Sequence, residues 1–115
     1  MNPVCGCDHQ TYWNAELAAA AGVNLSSATQ CGDGVALKCS NGTPKCAGGA
    51  FCNDNVGPIA TCGVTSGAGT CWVMPATCPT ATQTEKACNG SGGCRTLCDA
   101  IKNERTFGLD SVNCP

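Results

Sequence analysis

Thirteen cysteines in 115 residues constrain this chain more than any other feature. That share lies above the level that marks a disulfide scaffold. The large apolar side chains that would fill an ordinary core are scarce: two Trp, one Tyr and two Phe. Fifteen glycines and six prolines add conformational entropy and turns instead. Such a core cannot offset chain entropy alone. Cross-links must supply the rest, each contributing about 2–4 kcal/mol through the unfolded state. The chain is therefore expected in an oxidising place: secreted, periplasmic or at the cell surface. An odd cysteine count leaves at least one thiol without a partner in the chain, if all the others pair.

Net charge is −2 and only 12% of residues are charged. With no basic stripe, nucleic acid is not an expected partner. No apolar run approaches ~20 residues, so no membrane span is expected. Met1 is followed at once by Asn-Pro and a cysteine motif, with no export signal. A disulfide-rich chain of this kind reads as a fragment or as an engineered chain in which Met1 is an added start.

Three segments differ in texture. In 1–31, Asn14 is a good N-cap before "AELAAAA", with Gly22 as the stop and Glu16 in the first turn. This predicts a helix near 14–21, and "VNL" after Gly22 reads as a short strand. In 32–70, cysteines recur every 6–10 residues among Gly, Asn, Pro and Ser, which predicts bridged hairpins and no helix. In 71–115, an extended, proline-broken stretch leads to a helical stripe of Cys94, Cys98, Ile101 and Arg105, predicting a helix near 95–105. Cys5 to Cys31 and Cys88 to Cys114 are both separations of 26, each with a helix signal about ten residues in. This predicts two similar units flanking a cysteine-rich middle, each with a small core of its own.

Little catalytic chemistry is readable. Cys5, Cys7 and His9 in "CGCDH" could ligate zinc, but His9 is the lone histidine and no C-x2-C pair exists. No metal or other cofactor is expected. A Cys7 nucleophile would need His9 fixed by a third group, and nothing supplies one. Cys94 and Cys98 at i, i+4 on a helix should reach different partners. "GSGG" at 90–93 is too short for a phosphate loop. Asn24-Leu-Ser, Asn41-Gly-Thr and Asn89-Gly-Ser match the N-glycosylation sequon. No paired carboxylates or Ser-His-Asp set appears, so the chain reads as a non-enzyme.

"PVCGCDHQTYWNAELAAAAGV" resembles the Kazal signature, roughly V-C-G-x-D-G-x-T-Y-x-N-x-C followed by a helix and a distal cysteine. Val4, Cys5, Gly6, Asp8, Thr11, Tyr12 and Asn14 match in register. The extra cysteine and alanine-rich helix look like bacterial members. His9 stands where Gly is usual, and Glu16 where the family's fourth cysteine falls. The remainder is similar in outline to the follistatin module's tandem of a hairpin unit and a Kazal unit. The resemblance implies a small disulfide-rich α+β fold. Residues 1–31 would be the C-terminal part of a Kazal-like unit, 32–70 a cysteine-rich hairpin segment, and 71–115 a degenerate Kazal-like unit. Cys31 could instead open the middle segment.

Family pairing and the repeat spacing together imply Cys5–Cys31, Cys88–Cys114, Cys78–Cys98 and Cys71–Cys94. Cys39–Cys52 with Cys46–Cys62 is one of three ways to join the middle four. Cys7 would be the orphan, exposed and prone to form a mixed disulfide or a Cys7-linked dimer. Function by resemblance is serine protease inhibition through a rigid loop between Cys78 and Cys88. Counting from Cys78 places Thr80 in the protease's primary pocket, and counting back from Cys88 places Thr82 there, with Ala81 between. The alternative is a non-inhibitory extracellular adhesive or structural module. The expected partner is accordingly a serine protease or another extracellular protein.

Overall fold

The computed structural model describes residues 2–40, 46, 48–63, 69–90 and 92–114. Asn41 and Ser91 fall outside them, and with them two of the three sequons and the centre of "GSGG". The described residues form a small disulfide-rich α+β fold with two sheets and two short α-helices.

The first sheet is built around one strand. Strands β1 (Val4–Gly6) and β2 (Thr11–Tyr12) form a hairpin, and β3 (Leu25–Ser27) pairs with β1 on its other side. The expected strand at Val23–Leu25 thus begins two residues later. Strands β4 (Lys38–Cys39) and β5 (Phe51–Asn53) follow, then β6 (Asn55–Pro58) and a 3-10 turn (Ile59–Thr61). Strand β7 (Gly69–Val73) pairs parallel to β2 and antiparallel to both β4 and β5. So β4 and β5 do not form the expected hairpin with each other; β7 lies between them. The second sheet places β9 (Phe107–Leu109) between β6 and β8 (Glu85–Ala87). At its centre Gly108 has no room for a side chain, because a Cβ would lie 2.8 Å from the Gly57 carbonyl.

The helices are short. Helix α1 (Ala15–Ala20) starts where its cap predicts: Asn14 Oδ1 accepts from Leu17 N–H at 2.9 Å. Helix α2 (Leu97–Lys102) is capped by Thr96, whose Oγ1 accepts from Asp99 N–H. It covers only the middle of the expected 95–105 stripe. Cys94 and Arg105 lie outside it, and Glu104 has already turned to a φ of 53°.

One apolar cluster draws on all three segments: Trp13, Trp72, Met74, Ile101 and Phe107, with Leu17 and Phe51 packed against it. Both helices therefore touch a common core, contrary to the expectation of one small core per unit. Trp13 is the joint. Its N–H donates to the Val73 carbonyl, and its ring lies 6.3 Å from that of Trp72. With so few aromatics, the chain pools them rather than dividing them among units.

Six bridges close the fold: Cys5–Cys31, Cys39–Cys52, Cys46–Cys71, Cys62–Cys88, Cys78–Cys98 and Cys94–Cys114. Three expected pairs differ. Cys88 does not reach Cys114, because it directly follows the edge strand β8 and bonds Cys62, which lies beyond the opposite edge strand β6. Cys114 follows the Asp110 turn back towards Glu85, whose partner Arg95 adjoins Cys94. Cys71 sits mid-strand in the first sheet and takes Cys46, not Cys94, which leaves Cys62 free of Cys46. The equal 26-residue spacing is thus not a structural repeat. Cys94 and Cys98 do go to different partners.

Candidate functional site

The "CGCDH" turn is structural. A Cβ on Gly6 would lie 2.5 Å from Asp8 Oδ1 and 2.8 Å from the Tyr12 ring, so only glycine fits. Asp8 accepts from Tyr12 Oη at 2.7 Å and from Gln10 N–H at 3.2 Å. Burial, then this carboxylate, pushes the Tyr12 phenol up to about 12. Thr11 Oγ1 accepts from Cys31 N–H at 3.0 Å, tying the hairpin to the first bridge. His9 is exposed with a φ of 67°, the left-handed region where a glycine is at ease. With Cys5 in a disulfide, the zinc set of Cys5, Cys7 and His9 is incomplete. Cys7 is a free, exposed thiol.

The segment singled out between Cys78 and Cys88 has a different character. Pro79 to Gln83, including Thr80, Ala81 and Thr82, are all exposed and outside any helix or strand. The segment is fixed at both ends. On one side stands Cys78–Cys98, with Lys102 Nζ donating to the carbonyls of Pro75 and Ala76 at 3.0 and 2.9 Å. On the other, Asp110 N–H donates to the Thr84 carbonyl and Glu85 exchanges backbone bonds with Arg95. Asp110 is itself locked. Its carboxyl is held below its ordinary range, first by the Asn113 backbone N–H and then by the Asn113 side chain. Behind the segment lies a groove of about 290 Å³ between Thr80–Thr82 and Trp13, Thr96 and Leu97.

Two features went unnoticed in the sequence. A second groove of about 350 Å³ is lined by Gln30, Asp33, Asn53, Asn55 and Thr70, with Trp72 beneath. Its members come from segments distant in the chain, so no local motif marks them. The other is a cluster of three cysteine sulfurs, from Cys39 on β4, Cys71 on β7 and Cys46 in the chain between β4 and β5. Strand register, invisible in spacing alone, brings it together.

No family model, no curated protein and no solved structure matches the chain. No helix among the described residues is long and apolar enough to cross a membrane.

Proposed function

We propose that the chain is an extracellular Kazal-like protein that offers residues 79–84 to a serine protease as a substrate-like loop. One observation carries this reading: five consecutive exposed residues, Pro79 to Gln83, held open between Cys78–Cys98 and β8. Fixing both ends before binding lowers the ordering entropy that a free peptide would lose in a protease cleft. The test is inhibition of elastase-like and subtilisin-like proteases, with Thr80→Asp and Thr82→Asp variants. Whichever threonine enters the primary pocket should lose roughly 30-fold in affinity, the scale of a hot-spot residue. Cleavage without inhibition of either protease class would refute the reading.

A non-inhibitory adhesive or structural module is the second reading, and one observation favours it. Among the described residues, none of Pro79 to Gln83 hydrogen-bonds to the body, and a groove lies behind them. The loop is fixed at its ends but not along its length. On this reading neither threonine variant changes any protease rate.

A further inference from the structure

We propose that the reduced chain binds one zinc-class divalent cation through Cys39, Cys46, Cys52 and Cys71. The same four residues form two disulfides in the oxidised chain. The inference is independent of the protease reading.

Register assembles the site. Cys52 lies opposite Cys71 across the β5–β7 ladder, so their side chains share a face. Cys39 lies opposite Gly69, two residues before Cys71, and so shares that face too. Cys46 joins them through its bond to Cys71. The sulfurs of Cys39, Cys46 and Cys71 all lie within 4.8 Å of one another, and the Cys52 sulfur is bonded to that of Cys39. Among the described residues no other group of three or more ligating side chains is this close.

The geometry suits a tetrahedral thiolate centre. With metal–sulfur bonds of about 2.3 Å, its sulfurs sit about 3.8 Å apart. The Cys39 sulfur lies within 4.8 Å of those of Cys46 and Cys71; to reach the tetrahedral spacing the two bonded pairs must open, and Cys52 must turn towards the other pair. Gly69 carries no side chain on this face, and the Cys52 sulfur occupies the space a Cβ would take. The donor set is all sulfur, which selects zinc-class ions over calcium or magnesium. Cys39, Cys52 and Cys71 are buried beside Ala50 and Val73, so water is largely kept from the ligands.

The chemistry balances with a phosphine or dithiol reductant. Each S–S bond takes two electrons and two protons, giving two thiols, and the reductant is oxidised by the same two electrons. Four thiols then release four protons as the divalent cation binds, leaving the centre with a charge of 2−. In an unoxidised chain the cation would hold β4, β7 and β5 together as the two bridges do later.

The test uses the whole chain, reduced by a phosphine without oxygen and titrated with Co²⁺ as the zinc probe. The expected result is a single equivalent giving the ligand-field spectrum of tetrahedral thiolate cobalt. Zn²⁺ should then slow alkylation of Cys39, Cys46, Cys52 and Cys71 by roughly tenfold or more, leaving the other cysteines unchanged. C39S/C52S should lose the cobalt spectrum, and C78S/C98S should keep it. Absence of the tetrahedral spectrum, protection spread over Cys5, Cys7 and Cys31, or equal loss in both double variants would overturn the proposal. Alkylation mapping of the unmutated chain decides the matter even where a variant fails to fold.

Discussion

Gly69→Ala probes the crossing of the Cys39–Cys52 bridge over β7. Gly69 has no positive φ, so its backbone suits any residue, and alanine in a strand would ordinarily gain about 0.5–1 kcal/mol over glycine. Here the added Cβ would lie 2.5 Å from Cys52 Sγ and 3.2 Å from the carbonyl oxygens of Asn53 and Cys39. That sulfur is tied at both ends and cannot swing away. Overpacking of this kind costs about 1–3 kcal/mol, or more. The net loss should be about 1–2 kcal/mol, a drop of about 4–8 °C in Tm for a chain of this size. Gly32→Ala and Gly34→Ala are the controls, since nothing lies within 4 Å of either position and neither has a positive φ. They should stay within about 0.5 kcal/mol of the parent. Thermal and urea unfolding under non-reducing conditions, with bridges verified by peptide mass, measures all three. A Gly69→Ala protein with its six bridges intact and parental stability would refute the crossing.

Three further outcomes follow from the turn around Asp8. His9→Gly should stabilise the fold by about 0.5–1 kcal/mol in urea unfolding, since about 1–2 kcal/mol of left-handed strain is relieved against about 0.4–1 of added chain entropy. Tyr12 is the lone tyrosine, so ultraviolet absorbance reports it alone; tyrosinate should appear only near pH 12, not near 10. Because the folded value is raised, this contribution to stability is full below pH 10 and is lost as pH rises towards 12. Cys7 should carry a mixed disulfide or link two chains in non-reducing mass spectra, and Cys7→Ser should abolish both; a labile thiol mapped to any other cysteine would sink that expectation.

Local chemistry was legible in the sequence, and pairing across sheets was not. Asn14 and Gly22 bound α1 because capping needs only neighbours. The orphan state of Cys7 and the bridges Cys5–Cys31, Cys39–Cys52 and Cys78–Cys98 agree with expectation. The failures share one cause. Spacing treats the chain as a string of units, whereas β7 receives strands from either side of residue 31 and β9 joins β6 to β8. Cys88 and Cys114 look alike by count, yet one directly follows β8 and the other follows the Asp110 turn. The polar groove over Trp72 was hidden for the same reason.

The positions that carry the Kazal resemblance do structural work, and this limits what they say about function. Gly6 clears space for Asp8 and Tyr12, Thr11 holds Cys31, and Asn14 caps α1. Val4 packs with Tyr12 and Ala18 in a small cluster. Any chain making this hairpin and helix would need much the same residues, whatever it bound. His9 illustrates the converse: the turn keeps its left-handed backbone without the glycine, supported by a bond from His9 N–H to the Gly6 carbonyl and one from Leu37 N–H to the His9 carbonyl. On the protease reading proposed above, partner choice would reside where the fold leaves residues free. Pro79 to Gln83 are such residues, exposed and unbonded between fixed ends. Exchanging Thr80 and Thr82 should alter binding and leave stability within about 0.5 kcal/mol, as for surface positions generally. Altering Gly6 or Asp8 should do the reverse.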